Sequence, residues 1–212
     1  MRSSITFISA AALAAGVHGL DSGLEPPFPG AAVFVPEWEV PASPGGPTVT
    51  LTGTVQEVVA ELEKLNPDFK TDFNITETAA DDIPVPSDVT GSLEKRTDFK
   101  GSKYICNNYP NGRYNAYHEG VEYLRGVPGK PRAPAGPGAC GRVSCSQNTA
   151  IWWCNDDRSP KELYSFGSIA DGAWYLSMYC TGLPESWNGY YTIAGQAFHS
   201  TNWNVIVRNA AC

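Results

Sequence analysis

His118-Glu119, Arg142 and His199 are the residues whose types suit acid–base chemistry. A carboxylate and an imidazole can act as general base and acid, so the set invites an enzyme reading. Asp156-Asp157, just before Arg158, would suit a paired-carboxylate hydrolase. No second carboxylate cluster accompanies it, and it reads as a solvated turn. Loop 126–139, GVPGKPRAPAGPGA, repeats proline every three residues from Pro128 to Pro137, which favours polyproline II, and it carries Lys130 and Arg132. Connections of this length without structure of their own are uncommon unless functional or disordered. Lys130 and Arg132 are therefore candidate recognition residues for a membrane protein or acidic surface. Trp152-Trp153 lie on one strand and must point to opposite faces. One belongs to the core. The other, with Trp152 as the candidate, lies on the face without helices, to meet a partner or pack under the Gly/Pro loop.

The six cysteines, Cys106, Cys140, Cys145, Cys154, Cys180 and Cys212, all follow residue 96. An even number in a short secreted segment reads as a disulfide framework. The spacings after Cys140 do not fit the C-x-x-C pairs of a zinc site, so no metal is expected.

The chain ahead of them differs in kind. Residues 1–19 carry Arg2 and then an apolar run from Ile5 to Val17, the pattern of a signal peptide too short to anchor in a bilayer. Residues 20–96 hold 14 acidic and 4 basic residues and 10 of the 17 prolines; residues 97–212 hold 8 acidic and 10 basic. All ten tyrosines and five of the six tryptophans lie beyond 96. Composition therefore predicts an acidic, largely disordered pro-segment, 20–96. Within it, Thr54–Glu57 fits a capping box ahead of a stripe of Val55, Val58, Val59, Leu62 and Leu65, stopped by Pro67. Asn74-Ile75-Thr76 is a glycosylation sequon. Lys95-Arg96 closes the segment and resembles the dibasic site cut by the kexin proteases of the fungal secretory pathway. A cut there would leave a mature chain of 97–212.

In 97–212 the periodicity predicts a strand at 102–106 and a helix over 113–125. A hairpin follows around Ser146-Gln147-Asn148. A second helix is capped by Ser159, with Pro160 first and Glu162 closing a capping box, and a second hairpin turns around His199 to Thr201. In the last strand, Trp203, Val205 and Val207 alternate with Asn204, Ile206 and Arg208. The order β-α-ββ-α-ββ predicts an α+β fold, a small disulfide-bonded α/β sandwich with an antiparallel sheet and two helices on one face. Fifteen disulfide pairings are possible on sequence alone. The first hairpin would set Cys140 opposite Cys154. Taking the C-terminal strand as the neighbour of Cys145 gives Cys145–Cys212 and leaves Cys106–Cys180.

RVSCSQNTAIWW and AGQAFHSTNWNVIVRNAAC resemble the strand-turn-strand and the closing strand pair of the killer-toxin family typified by killer protein four; the fungal necrosis-inducing effectors share that plan. The likeness spans about 103–212. That family has more cysteines and no Gly/Pro loop of this kind. The same disulfide pairs fit its pattern. It implies a secreted effector or toxin that binds a host or competitor cell target, and it carries over no catalytic residue. YPNGRYNAYHEG resembles a stretch of the small guanyl-specific fungal ribonucleases, but Asn111 and Gly112 stand where that family has a histidine after the proline. A secreted guanyl-type ribonuclease is the alternative, and a cell-wall carbohydrate-binding protein the third. The leading expectation is a monomer matured by a kexin-type protease, with no cofactor and no nucleic-acid partner.

Overall fold

The computed structural model describes residues 24–75, 97–182 and 191–212. Residues 1–19, expected to be a signal peptide, and the expected processing pair Lys95-Arg96 lie outside the described residues. The first part holds β1 (Ala32–Phe34), β2 (Glu37–Pro41), β3 (Thr48–Thr52), α1 (Val55–Leu65) and α2 (Phe69–Asp72). The second begins with β4 (Lys103–Cys106), β5 (Gly112–Arg113), α3 (Tyr114–Gly126), β6 (Arg132–Ala133), β7 (Ala139–Ser146) and β8 (Thr149–Asn155). It continues with β9 (Lys161–Glu162), α4 (Gly167–Cys180) and β10 (Thr181–Gly182). The last comprises β11 (Thr192–Ile193), β12 (Gly195–His199) and β13 (Trp203–Asn209).

The central sheet runs β1-β7-β8-β13-β12-β4. All its pairings are antiparallel except β1 with β7. Gln147 and Asn148 both adopt positive φ, 46° and 59°, as a tight hairpin turn between β7 and β8 requires. α3 and α4 cover one face of the sheet. They share a core with Val143, Ile151, Trp153, Val205 and Val207. Cys140, Cys145, Ala150, Trp152, Cys154 and Ile206 face the other way. The fold is thus a small disulfide-bonded α+β protein.

Three disulfides join Cys106 to Cys180, Cys140 to Cys154 and Cys145 to Cys212. The C-terminal strand is not the neighbour of the strand that carries Cys145. β8 lies between β7 and β13. The bond forms because the tail leaves β13, the Ala210 N–H donates to Asn148 O, and the chain reaches back to β7.

The second helix also starts later than the capping signal predicts. Lys161-Glu162 pairs with Arg132-Ala133 as a strand, and the Leu163 N–H donates to Pro131 O. Glu162 meets Arg132 and Lys130 instead of closing a box on Ser159. The helix begins at Gly167 behind Phe166. The same pairing gives the Gly/Pro loop a strand in place of continuous polyproline II.

The largest difference concerns residues 24–75, which composition predicts to be mostly disordered. They are folded onto the rest of the chain. The Thr54–Glu57 capping box forms as predicted. Val55, Val58, Val59 and Leu62 are buried, and Leu65 is exposed. β1 adds in parallel to the edge of β7, with Val33 on one face and Phe34 edge-on to Trp153 on the other. Trp38 stacks on Phe166 at 3.9 Å between ring centroids, and its Nε1–H donates to Gly53 O. Glycines in 97–212 make room for this segment. A Cβ on Gly141 would lie 2.6 Å from the Phe34 ring. Gly129, at φ +120°, would set one 2.8 Å from Glu39 O. Few aromatics suffice, because Trp38 and Phe69 are fully buried. Each large apolar side chain so buried contributes about 1.5–3 kcal/mol.

Candidate functional site

The sequence candidates occupy separate places. His118, on α3, is buried with its Nε2 4.0 Å from Glu122 Oε1; burial, opposed by Glu122, lowers its pKa. Glu119 accepts from Ser146 Oγ. His199 ends β12, packed against Trp203 and Phe99, with Nδ1 2.8 Å from Thr201 Oγ1. Burial lowers its pKa too, with Asp98 opposing. Register puts His199 in line with Trp203, Asn155 and Ala139, three strands and about 14 Å from β7, where Arg142 stands. Arg142 pairs with Trp152 on the face away from α3. The structure thus does not gather a base, an acid and a phosphate clamp from these four residues. Asp156 accepts from Asn204 Nδ2, and Asp157 pairs with Lys161, so neither is a plain solvated turn residue.

Lys130 and Arg132 both meet Glu162, at 3.4 and 2.8 Å. That carboxylate halves the positive charge the loop presents. Asn74 is exposed, at φ 53° after α2; Thr76 of its sequon lies outside the described residues. All six cysteines are disulfide-bonded, which removes them as thiolate metal ligands.

Trp152 does lie on the helix-free face, yet it is 1% exposed. Its cover comes from the N-terminal segment: Leu24, Phe28, Ala31 and Val33 pack on the same apolar group. β7 carries a register shift between Arg142 and Ser144. The extra residue turns Val143 and Ser144 toward α3 and keeps both Arg142 and Cys145 on the helix-free side. β13 adds Asn204, Ile206 and Arg208 to that face, as its alternation predicts. A polar row crosses it: Tyr109 OH donates to Gln196 Oε1, Gln196 Nε2 to Asn204 Oδ1, and Asn204 Nδ2 to Asp156 Oδ2. Arg208 lies 5.4 Å over the Tyr109 ring. Burial raises the Tyr109 pKa, with Arg208 opposing. Sequence reasoning missed Arg208, Tyr109 and Gln196. The alternation of β13 marks Arg208 as outward-facing, but only the strand order shows what lies beside it.

Leu24, Glu25 and Pro27 close over Arg142, Trp152 and Arg208, leaving a cavity of about 180 Å³. Two guanidiniums and an indole thus lie beneath a segment that no disulfide ties down.

Compared with protein-family models, curated proteins and solved structures, the chain matches none.

Proposed function

We propose that this chain is the precursor of a secreted effector or killer-toxin-like protein. A kexin-type cut after Arg96 matures it, and it acts by binding a host or competitor cell target. One observation carries the reading. The three disulfides close within 106–212, while residues 24–75 hold on through packing and hydrogen bonds alone. A cut between the two parts therefore leaves two chains with no covalent bond between them, as the maturation of a precursor requires. The scatter of His118, Arg142 and His199 further favours binding over catalysis. Among the described residues, no helix is long and apolar enough to cross a membrane.

The test is to secrete the full chain and its Arg96→Ala variant from a fungal host. Intact mass is measured before and after reduction, and both products are applied to susceptible fungal and plant cells. A product beginning at Thr97, toxic where the variant is not, supports the reading. An intact chain starting near residue 20, or equal inactivity of both products, counts against it.

A further inference from the structure

Two residues on the wall of the cavity on the helix-free face carry donors that the protein leaves unsatisfied. Arg142 Nε and Trp152 Nε1 are buried and have no hydrogen-bond acceptor among the described residues. Both residues line the cavity, and Arg208 lines it as well. A buried donor without an acceptor is costly, and native structures rarely leave two side by side. Trp153, whose indole N–H is also buried and unsatisfied, faces the helices and does not line this cavity.

Charge adds a second argument. Arg142 Nη1 donates to Ala211 O at 2.7 Å. Arg208 donates to the carbonyls of Asn209 and Pro27. These acceptors are neutral, so two guanidinium charges converge on one partly enclosed space without a carboxylate bonded to either. Glu25 is the acid on the lining. The remaining wall is apolar: Leu24, Pro27, Ala210 and Ala211. Guanidiniums bind planar and tetrahedral oxyanions through charge-assisted hydrogen bonds.

We propose that this cavity is a binding site for a small oxyanionic ligand, a carboxylate or phosphate group on a small apolar body. Arg142 Nε and Trp152 Nε1 donate to its oxygens, and Arg208 supplies the second positive charge. The site belongs to the chain that still carries its N-terminal segment, because Leu24, Glu25 and Pro27 form part of its wall.

The experiment uses the full chain, disulfides formed and labelled with ¹⁵N. The Trp152 indole N–H resonance is assigned by comparison with Trp152→Phe. Sodium benzoate, sodium acetate and inorganic phosphate are each added up to about 20 mM, well above a Kd of about 1 mM, at constant ionic strength set with chloride. The expected result is a saturable downfield movement of the Trp152 indole signal with at least one probe. Benzoate ahead of acetate identifies an apolar carboxylate; phosphate alone identifies a phosphate group. Arg142→Gln and, as a second variant, Arg208→Gln should each weaken binding roughly tenfold, the loss of about one charge-assisted hydrogen bond. An indole signal that none of the three probes moves overturns the proposal, leaving water as the acceptor. So does a movement that chloride alone reproduces.

Discussion

The backbone nitrogen of Thr97 donates to Asp171 Oδ2 at 2.7 Å. Asp171 Oδ1 also lies 3.1 Å from Arg125 Nη2, and the carboxylate is only 11% exposed. Cleavage after Arg96 would turn the Thr97 amide into an α-ammonium beside that carboxylate. A hydrogen bond with one charged partner would become an ion pair with two. Asp171→Asn is therefore expected to cost the cleaved protein about 1–3 kcal/mol and the uncleavable Arg96→Ala protein less. Urea unfolding of both pairs measures the difference. Equal losses would mean that the processed terminus does not engage Asp171.

Residues 24–75 should remain attached after the cut, for want of any gentle way to leave. Trp38, Val55, Val58, Val59, Leu62 and Phe69 share one buried cluster with Phe166, Leu124 and Val143. After limited cleavage between the two parts, native mass spectrometry is expected to find both fragments in one particle. Trp38→Ala removes the stack on Phe166 and should cost about 3–5 kcal/mol, enough to release the fragment. Fragments that separate spontaneously in the wild-type protein would show the segment to be a transient cover.

The frame of 97–212 was readable because each element there carries its own local signal. The β-branched runs on either side of Gln147-Asn148 mark one hairpin, and the alternation from Trp203 to Arg208 marks the last strand and both of its faces. What could not be read depends on long-range partners. Lys161-Glu162 has a valid helix-start signal, yet it pairs with Arg132-Ala133. The extra residue near Val143 leaves no local mark. Residues 24–75 have the composition of a disordered chain because their core is borrowed: Phe34 packs on Trp153, Trp38 on Phe166 and Val33 beside Trp152. The alternation of β8 puts one of Trp152 and Trp153 on the helix-free face, and Trp152 lies there, but its cover is Leu24 and Phe28 instead of the Gly/Pro loop.

Acid should weaken the fold through its histidines. Burial holds the pKa of His118 and of His199 below the ordinary value of 6.5, with Glu122 and Asp98 opposing in turn. Arg125 lowers the first further, and Lys161 the second. The unfolded chain therefore takes up protons near pH 6.5 that the folded chain refuses until lower pH. Stability from these groups is complete above about pH 6.5 and is lost as pH falls through the folded values. Thermal unfolding between about pH 7.5 and 5 is expected to show a falling midpoint, and His118→Gln with His199→Gln should flatten it. An unchanged slope in the double variant would assign the acid sensitivity to carboxylates.

Gln56 gives the sharpest test of how the N-terminal segment serves the sheet edge. β1 satisfies β7 only over Ala139–Gly141. Beyond the irregularity in β7, Gln56 Oε1 accepts from the Cys145 N–H at 3.1 Å, and Gln56 Nε2 donates to Ser144 Oγ at 2.8 Å. One side chain thus replaces the partner strand that this edge lacks, a protection edge strands need against pairing with other chains. Gln56→Ala should leave the Cys145 amide without its acceptor and cost about 1–3 kcal/mol. Faster hydrogen exchange at Cys145, with slow exchange kept in β8 and β13, is the expected signature. Gln56→Glu should restore the protection of Cys145, since its carboxylate still accepts from the amide. If Cys145 exchanges slowly in Gln56→Ala, the edge is held by β1 and the Cys145–Cys212 bond, and Gln56 contributes nothing to it.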